Sequence, residues 1–442
     1  MKFISTRSSG DSNSYVSFAE AILNCIAADG GMYVPAYEED LSRWILYMTE
    51  NTTFQSIAGS LTSSLIREEF SPIISEAIAM QAFPFSPELK KLDDNHYVLE
   101  LFHGTTGCYK DFGISYLASC LEHILLMQNK KAVVLAVTNG ETGASIASAF
   151  RGKKHLKAIL LYTKGTMRAI SPEDCIWNGG NILPVEVDGN EAECFDMVRS
   201  VYSDRAFVKQ HNLTLANTVN IGRLLPLSFC YMYAFSRLKS HVSSDIFYSV
   251  DAGNYGNLAA GLYSWKFSLP VNGFITNCTS SLVADSFDKC CVMDSIVPLN
   301  KRSVADPANP SNIERIEQVF VANPMLMKSL IFPAPVTEED RIKACKDAFI
   351  KYGYVMDPET SAAYAAAEKR SSLVSADDGV VVLVARNHPA LSADTIRKWC
   401  GEVPVLPESI ASLYTAVAPV RKITADRSEI LKLLDEVEAA DK

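Results

Sequence analysis

One stretch of this chain sets a lysine where it can attack a carbonyl. Leu101-Phe-His-Gly-Thr-Thr-Gly-Cys-Tyr-Lys110-Asp-Phe-Gly113 frames Lys110 with turn-forming residues and an aromatic pair. Tyr109 and Phe112 would desolvate the amine and lower its pKa, whereas Asp111 would raise it if the charges met. That balance sets how readily Lys110 enters imine chemistry. Alone, the segment also fits a solvated lysine at the start of a helix.

Three further segments offer anion-binding chemistry. The apolar run Ala132 to Val137 leads into Thr138-Asn139-Gly140-Glu141-Thr142-Gly143 and then a helical stretch. A strand, glycine turn and helix aim free backbone N–H groups and a helix dipole at one point, where a carboxylate or phosphate fits. An ordinary turn capped near Glu141 or Thr142 remains the alternative. The pattern recurs where Ile246 to Val250 reaches Asp251-Ala252-Gly253-Asn254-Tyr255-Gly256-Asn257. Two glycines there leave the backbone open to phosphate oxygens. No Walker A lysine and no G-x-G-x-x-G accompany it, so neither a nucleoside triphosphate nor NAD is implied. Asn217, Asn220 and Arg223 are spaced at three, and would share a face if already helical. They precede a predicted helix from Leu224 to Phe235, making a second candidate anion site or a capped helix with a surface arginine.

The elements that must carry these residues fall into two textures. Up to about Lys91 the pattern is helical, at Val16 to Ile26, Phe54 to Leu61 and Ile73 to Ile78, with Asp29-Gly-Gly31 expected to stop the first helix. Pro84 and Pro87 mark a linker. Beyond Asn95, short apolar runs alternate with helical stretches, as in strand-helix-strand units. Strands are predicted at Ala132 to Val137, Ala158 to Tyr162, Ile182 to Val187, Ile246 to Val250, Val271 to Ile275 and Val380 to Ala385. The expected organisation is a helical region over 1–92, a smaller α/β lobe over 93–225 carrying Lys110, and a larger one over 226–442, with segments exchanged between the lobes.

Composition narrows the partners. At 442 residues the chain exceeds what one core usually serves. Its net charge of -10 argues against nucleic acid or anionic membrane, so an anionic ligand must find local positive charge. No apolar run approaches a bilayer span, and Met1-Lys-Phe-Ile-Ser-Thr-Arg7 lacks the apolar core of a signal peptide, so a cytoplasmic location is expected. Eleven dispersed cysteines read as reduced thiols, and the scattered histidines predict no metal.

Together these segments resemble threonine synthase, a pyridoxal-phosphate enzyme of the tryptophan-synthase-β structural class (fold type II). The likeness runs through Ser5-Thr-Arg7, Val16-Ser-Phe-Ala-Glu-Ala, Asp29-Gly-Gly-Met-Tyr-Val-Pro35, the lysine segment, Asn139 to Gly143, Ile170-Ser-Pro172, Val187-Asp-Gly189, Asn217 to Arg223, Gly253 to Asn257 and Asn387-His-Pro389. The N-terminal matches discriminate, because other enzymes of the class generally lack that extension. The resemblance implies two interlocked, open, mostly parallel sheets flanked by helices, and Lys110 as the residue that condenses with pyridoxal 5'-phosphate. It further implies that Gly253, Asn254, Tyr255, Gly256 and Asn257 hold the cofactor phosphate and that Asn139 to Gly143 hold the substrate α-carboxylate. Lys164, Ser171, Asn217, Asn220 and Arg223 would surround the phosphate of O-phospho-L-homoserine. The implied reaction is γ-elimination of that phosphate followed by β-addition of water, with Lys110 moving the protons.

Departures from the family pattern cluster in these same segments. Against F-H-G-P-T-x-A-F-K-D the chain has Thr105, Cys108 and Tyr109; against S-G-D-T-G it has Asn139 and Glu141. Asp174 and Cys175 follow an apparent insertion around Thr166 to Arg168. Arg386 falls where the family has a threonine on the pyridine nitrogen, and an arginine cannot accept a proton there. These changes keep open a related lyase acting on another phosphorylated or β-substituted amino acid, and a catalytically silent binding protein.

Overall fold

The computed structural model describes residues 1–8, 14–376 and 378–440. Two sheets organise it. The larger has six strands in the order Ile331–Ala334, Gly273–Asn277, Ile246–Val250, Val380–Ala385, His96–Glu100 and Glu88–Lys91. All its pairings are parallel except the last. The smaller has five parallel strands in the order Lys422–Thr424, Ile182–Asp188, Leu156–Thr163, Ala132–Thr138 and Leu213–Thr214. Parallel sheets need both faces covered, which explains why Val380–Ala385 is apolar at every position and wholly buried. The architecture is the mixed α/β arrangement expected.

The strands at Ile246–Val250 and Val380–Ala385 coincide with the predicted runs. The other four predicted runs also fall on strands, at Ala132–Thr138, Leu156–Thr163, Ile182–Asp188 and Gly273–Asn277, but the edge strand was not legible. Glu88–Lys91, inside the stretch read as helical, has no apolar alternation, and all four residues are exposed or half-buried. It forms the antiparallel edge because Leu99 and its neighbours supply the ladder. The first helix, Phe18–Asn24, starts with a capping box at Ser17 and Glu20 and ends at Cys25, whose φ is 60°. The stop therefore precedes Asp29-Gly-Gly31. Those residues make a tight turn instead: a Cβ on Gly31 would lie 2.3 Å from the Ser5 hydroxyl, which itself donates to Asp29.

The N-terminal region packs against what will be the site. Phe54, Phe83 and Phe85 surround Phe112, next to Lys110 but one face away. Arg7 binds Glu314 and the carbonyls of Arg302 and Ser303. Arg315, fully buried, donates to the carbonyls of Tyr33, Thr218 and Val219. A guanidinium with that many acceptors locks the strand Tyr33–Pro35, the helix Ile313–Val319 and the loop at Thr218 into one unit. Among the described residues no helix is long and apolar enough to cross a membrane.

Candidate active site

Lys110 opens the helix Lys110–Gln128 at the floor of a cavity that is also lined by Thr142, Asn217, Arg223, Asn254 and Pro307. The loop before it is pinned from two sides. The Tyr109 N–H donates to the Arg386 carbonyl and the His388 N–H to that of Gly107, while the Cys108 thiol donates to the Asn387 side chain. The Asp111 carboxylate turns back to accept the N–H and hydroxyl of Thr106, so it does not meet Lys110. Phe112 likewise points into the N-terminal aromatic cluster. The desolvated-lysine reading is therefore corrected. Glu141, 2.9 Å away, is the partner of the amine. Burial pushes the lysine pKa down, but nearby negative charge outweighs it and the pKa lies above the ordinary value. Glu141 supplies that charge, because burial raises the Cys108 thiol to about 12 and leaves it neutral near pH 7. For Glu141 itself burial raises the pKa, yet Lys110, with Arg168 and Arg386, brings it below the usual range.

The turn at Asn139 to Gly143 forms as predicted, with Gly140 at φ 123° and the helix beginning at Glu141. Its N–H groups are not all free. Gly140 and Gly143 both donate to the Thr138 hydroxyl, at 2.9 and 2.8 Å. Asn139 is exposed. Gly143 is required by packing, since a Cβ would lie 2.4 Å from the Tyr162 hydroxyl.

At the end of strand Ile246–Val250, Gly253 and Tyr255 take positive φ, 45° and 64°, and the eleven-residue helix Gly256–Lys266 follows. Asn254 bonds the Thr218 hydroxyl and the Gly256 N–H. Tyr255 reaches Thr279 and the Asn257 carbonyl accepts from Tyr231. A Cβ on Gly253 would approach Arg386 to 2.8 Å. The chain thus exposes the backbone of this turn where side chains would close it, at the N-terminal end of a helix, as a phosphate cradle requires.

Arg386 is held by Asp251 at 2.8 Å and by the Tyr109 hydroxyl at 3.1 Å, with its guanidinium over the Tyr109 ring. Asp251 is buried and Arg386 half-buried beside Gly253. Asp251, one residue beyond the end of the neighbouring strand Ile246–Val250, is the compensation that lets an arginine occupy this position.

Arg223 is buried at 3% exposure, and its Nε and one terminal nitrogen have no protein partner. Burial lowers its pKa. It lies so close to Gly113 that a Cβ there would meet it at 2.0 Å. Asn217 lines the cavity, but its amide N–H donates to the Pro307 carbonyl. Asn220 does not join them. Residues 217–220 form a turn, not helix, and Asn220 caps the short helix Ile221–Leu224. Its amide donates to the carbonyls of Ile22 and Leu215 and its oxygen accepts from Gly222. Replacing Asn220 with alanine is accordingly expected to cost about 1–3 kcal/mol of stability in urea unfolding, because buried backbone groups lose partners. Unchanged stability would sink this assignment.

Two other expected ligands lie apart. Lys164 is 70% exposed and pairs with Asp188. Ser171 precedes the single turn Pro172–Asp174 and does not line the cavity. Asp174 is engaged by Arg151 through two bonds. Sequence reading missed Thr138, Thr218 and Tyr414, whose roles depend on partners far along the chain.

The residues present fit pyridoxal phosphate: a lysine amine in a cavity, an open glycine turn at a helix start beside it, and a guanidinium with unsatisfied donors. Residues 2–83 match the family described as threonine synthase N terminus. Threonine synthase of Escherichia coli K12 is 28% identical over 426 residues, covering 96% of this chain and 97% of that protein. That of Serratia marcescens is 29% identical over 405 residues, 91% and 92% of the two chains. The crystal structure of the Escherichia coli enzyme superposes with a TM-score of 0.77 at 26% identity, covering 99% of this chain and all of that one. A pyridoxal-phosphate-bound threonine synthase from Brucella melitensis gives 0.80 at 21% identity over the whole of both chains, a likeness of fold. Fold and site together are similar to those of pyridoxal-phosphate-dependent enzymes of fold type II. The N-terminal match and the full-length relatives specify it further: the chain is similar to threonine synthases over almost its whole length.

Proposed function

We propose that this chain eliminates phosphate from O-phospho-L-homoserine and adds water to give L-threonine, acting in the cytoplasm. The observation that carries the reading is Arg223, which lines the cavity that holds Lys110 and has two buried nitrogens without a protein partner. A buried cation without an acceptor is costly unless a ligand supplies one, and an amino acid bearing a phosphate satisfies both ends of this cavity.

Pyridoxal phosphate, when bound, supplies an aldehyde that captures amines and a conjugated ring that takes up electron density from the α-carbon. Lys110 would hold that aldehyde, and Gly253 to Asn257 would hold the phosphate. The Lys110 amine, when free, would stand beside the substrate α-carbon and take its proton. Glu141, within hydrogen-bond distance, steadies the charged form of that amine. Arg223, with Asn217 at the same wall, would neutralise the γ-phosphate and so make it the better leaving group. Lys110 then returns protons as the double bond moves, and water adds at the β-carbon.

The test is incubation of the cofactor-loaded protein with O-phospho-L-homoserine. Phosphate and threonine are expected in equal amounts. Phosphate without threonine would identify another lyase, and a protein that shows no cofactor absorbance after added pyridoxal phosphate would be the silent homologue.

A further inference from the structure

We infer that Arg168 is the side-chain ligand of the substrate α-carboxylate, which gives the enzyme one arginine for each of its substrate's anions. This rests on the amino-acid phosphate reading of the site. The turn expected to bind the carboxylate has two of its N–H groups, those of Gly140 and Gly143, already committed to Thr138. Glu141 brings a negative charge to the same turn and is taken up by Lys110. A carboxylate therefore needs a further donor and a further positive charge, and Lys164, the cation expected at the substrate phosphate, pairs with Asp188 instead.

Arg168 meets both needs. Its Nε is buried with no protein acceptor. It lies against the turn itself, since a Cβ on Gly140 would come within 2.0 Å of that nitrogen, and Gly140 at φ 123° leaves the room. The guanidinium stacks on Tyr414 at 4.9 Å, which fixes its plane and leaves its N–H edge for an anion. Tyr414 is anchored in turn by its hydroxyl on the Thr106 carbonyl, four residues before Lys110. The backbone at Arg168 bridges to Ala416, and the Val417 N–H donates to Met167. The residues around Thr166 to Arg168 thus carry a cation to the site and clip it there, which gives the insertion a purpose.

The experiment measures binding to the cofactor-loaded protein by the change in cofactor absorbance. O-phospho-L-homoserine is compared with 3-aminopropyl phosphate, the same molecule without its carboxylate. Arg168→Ala should weaken the first about 10- to 100-fold and leave the second within about twofold, with partial recovery in Arg168→Lys. Equal losses for both ligands, or no loss for either, overturn the assignment. If the wild-type protein binds neither phosphate compound, the substrate reading fails. Arg168 is then tested with L-2-aminobutyrate against propylamine, where the same selective loss is required.

Discussion

Lys110→Ala is expected to abolish turnover of O-phospho-L-homoserine, by at least about a thousandfold, and to leave no residue that borohydride can tag after pyridoxal phosphate is added. The magnitude follows from the number of duties on one amine. In the proposed reaction it would bind the aldehyde, take the α-proton and return protons later, and no second lysine lines the cavity among the described residues. Lysozyme-style sharing between two groups is not available here, since Glu141 is tied to Lys110 and carries a depressed pKa. Peptide mapping of the reduced wild-type protein should find the cofactor at position 110. A tag elsewhere would displace the whole assignment of roles, including that of Glu141.

Much of this site was legible because its chemistry is written locally. A strand, a glycine turn and a helix are contiguous in sequence, so the turns at Asn139 to Gly143 and Gly253 to Asn257 announce themselves. What stayed hidden is non-local. Asn220 and Arg223 look alike as polar residues ahead of a helix, yet one is consumed by Ile22 and Leu215 while the other is left without acceptors. Their difference depends on the N-terminal region packing beneath one and not the other. Lys164 was assigned by the family resemblance, but three residues of slack let Arg168 reach the turn while Lys164 faces solvent. Spacing fixes which residues are near in the chain, whereas the hydrogen-bond partner decides which are free to bind. The edge strand Glu88–Lys91 was missed for a related reason: its pairing is determined by His96–Glu100, not by its own pattern.

Arg223→Met should separate stability from function in opposite directions. In the protein without cofactor or substrate, two guanidinium nitrogens are buried and unpartnered, and the nearby Asp111 carboxylate is occupied by Thr106. Burial depresses the arginine's pKa, the sign expected when the charged form is the disfavoured one. An apolar side chain of similar length fills the same space beside Gly113 without that penalty, so the variant is expected to be more stable by about 1–3 kcal/mol in urea unfolding. In the proposed reaction the same change would remove charge-assisted hydrogen bonds to the substrate phosphate, each worth about 1.5–3 kcal/mol, and should raise KM for O-phospho-L-homoserine by about 100-fold or more. Cofactor loading at Lys110 is expected to persist, because Lys110 and the glycine turn are untouched. A variant that is less stable than the wild type yet keeps its KM would make Arg223 a structural residue, and the phosphate would then have to be held by groups other than this one.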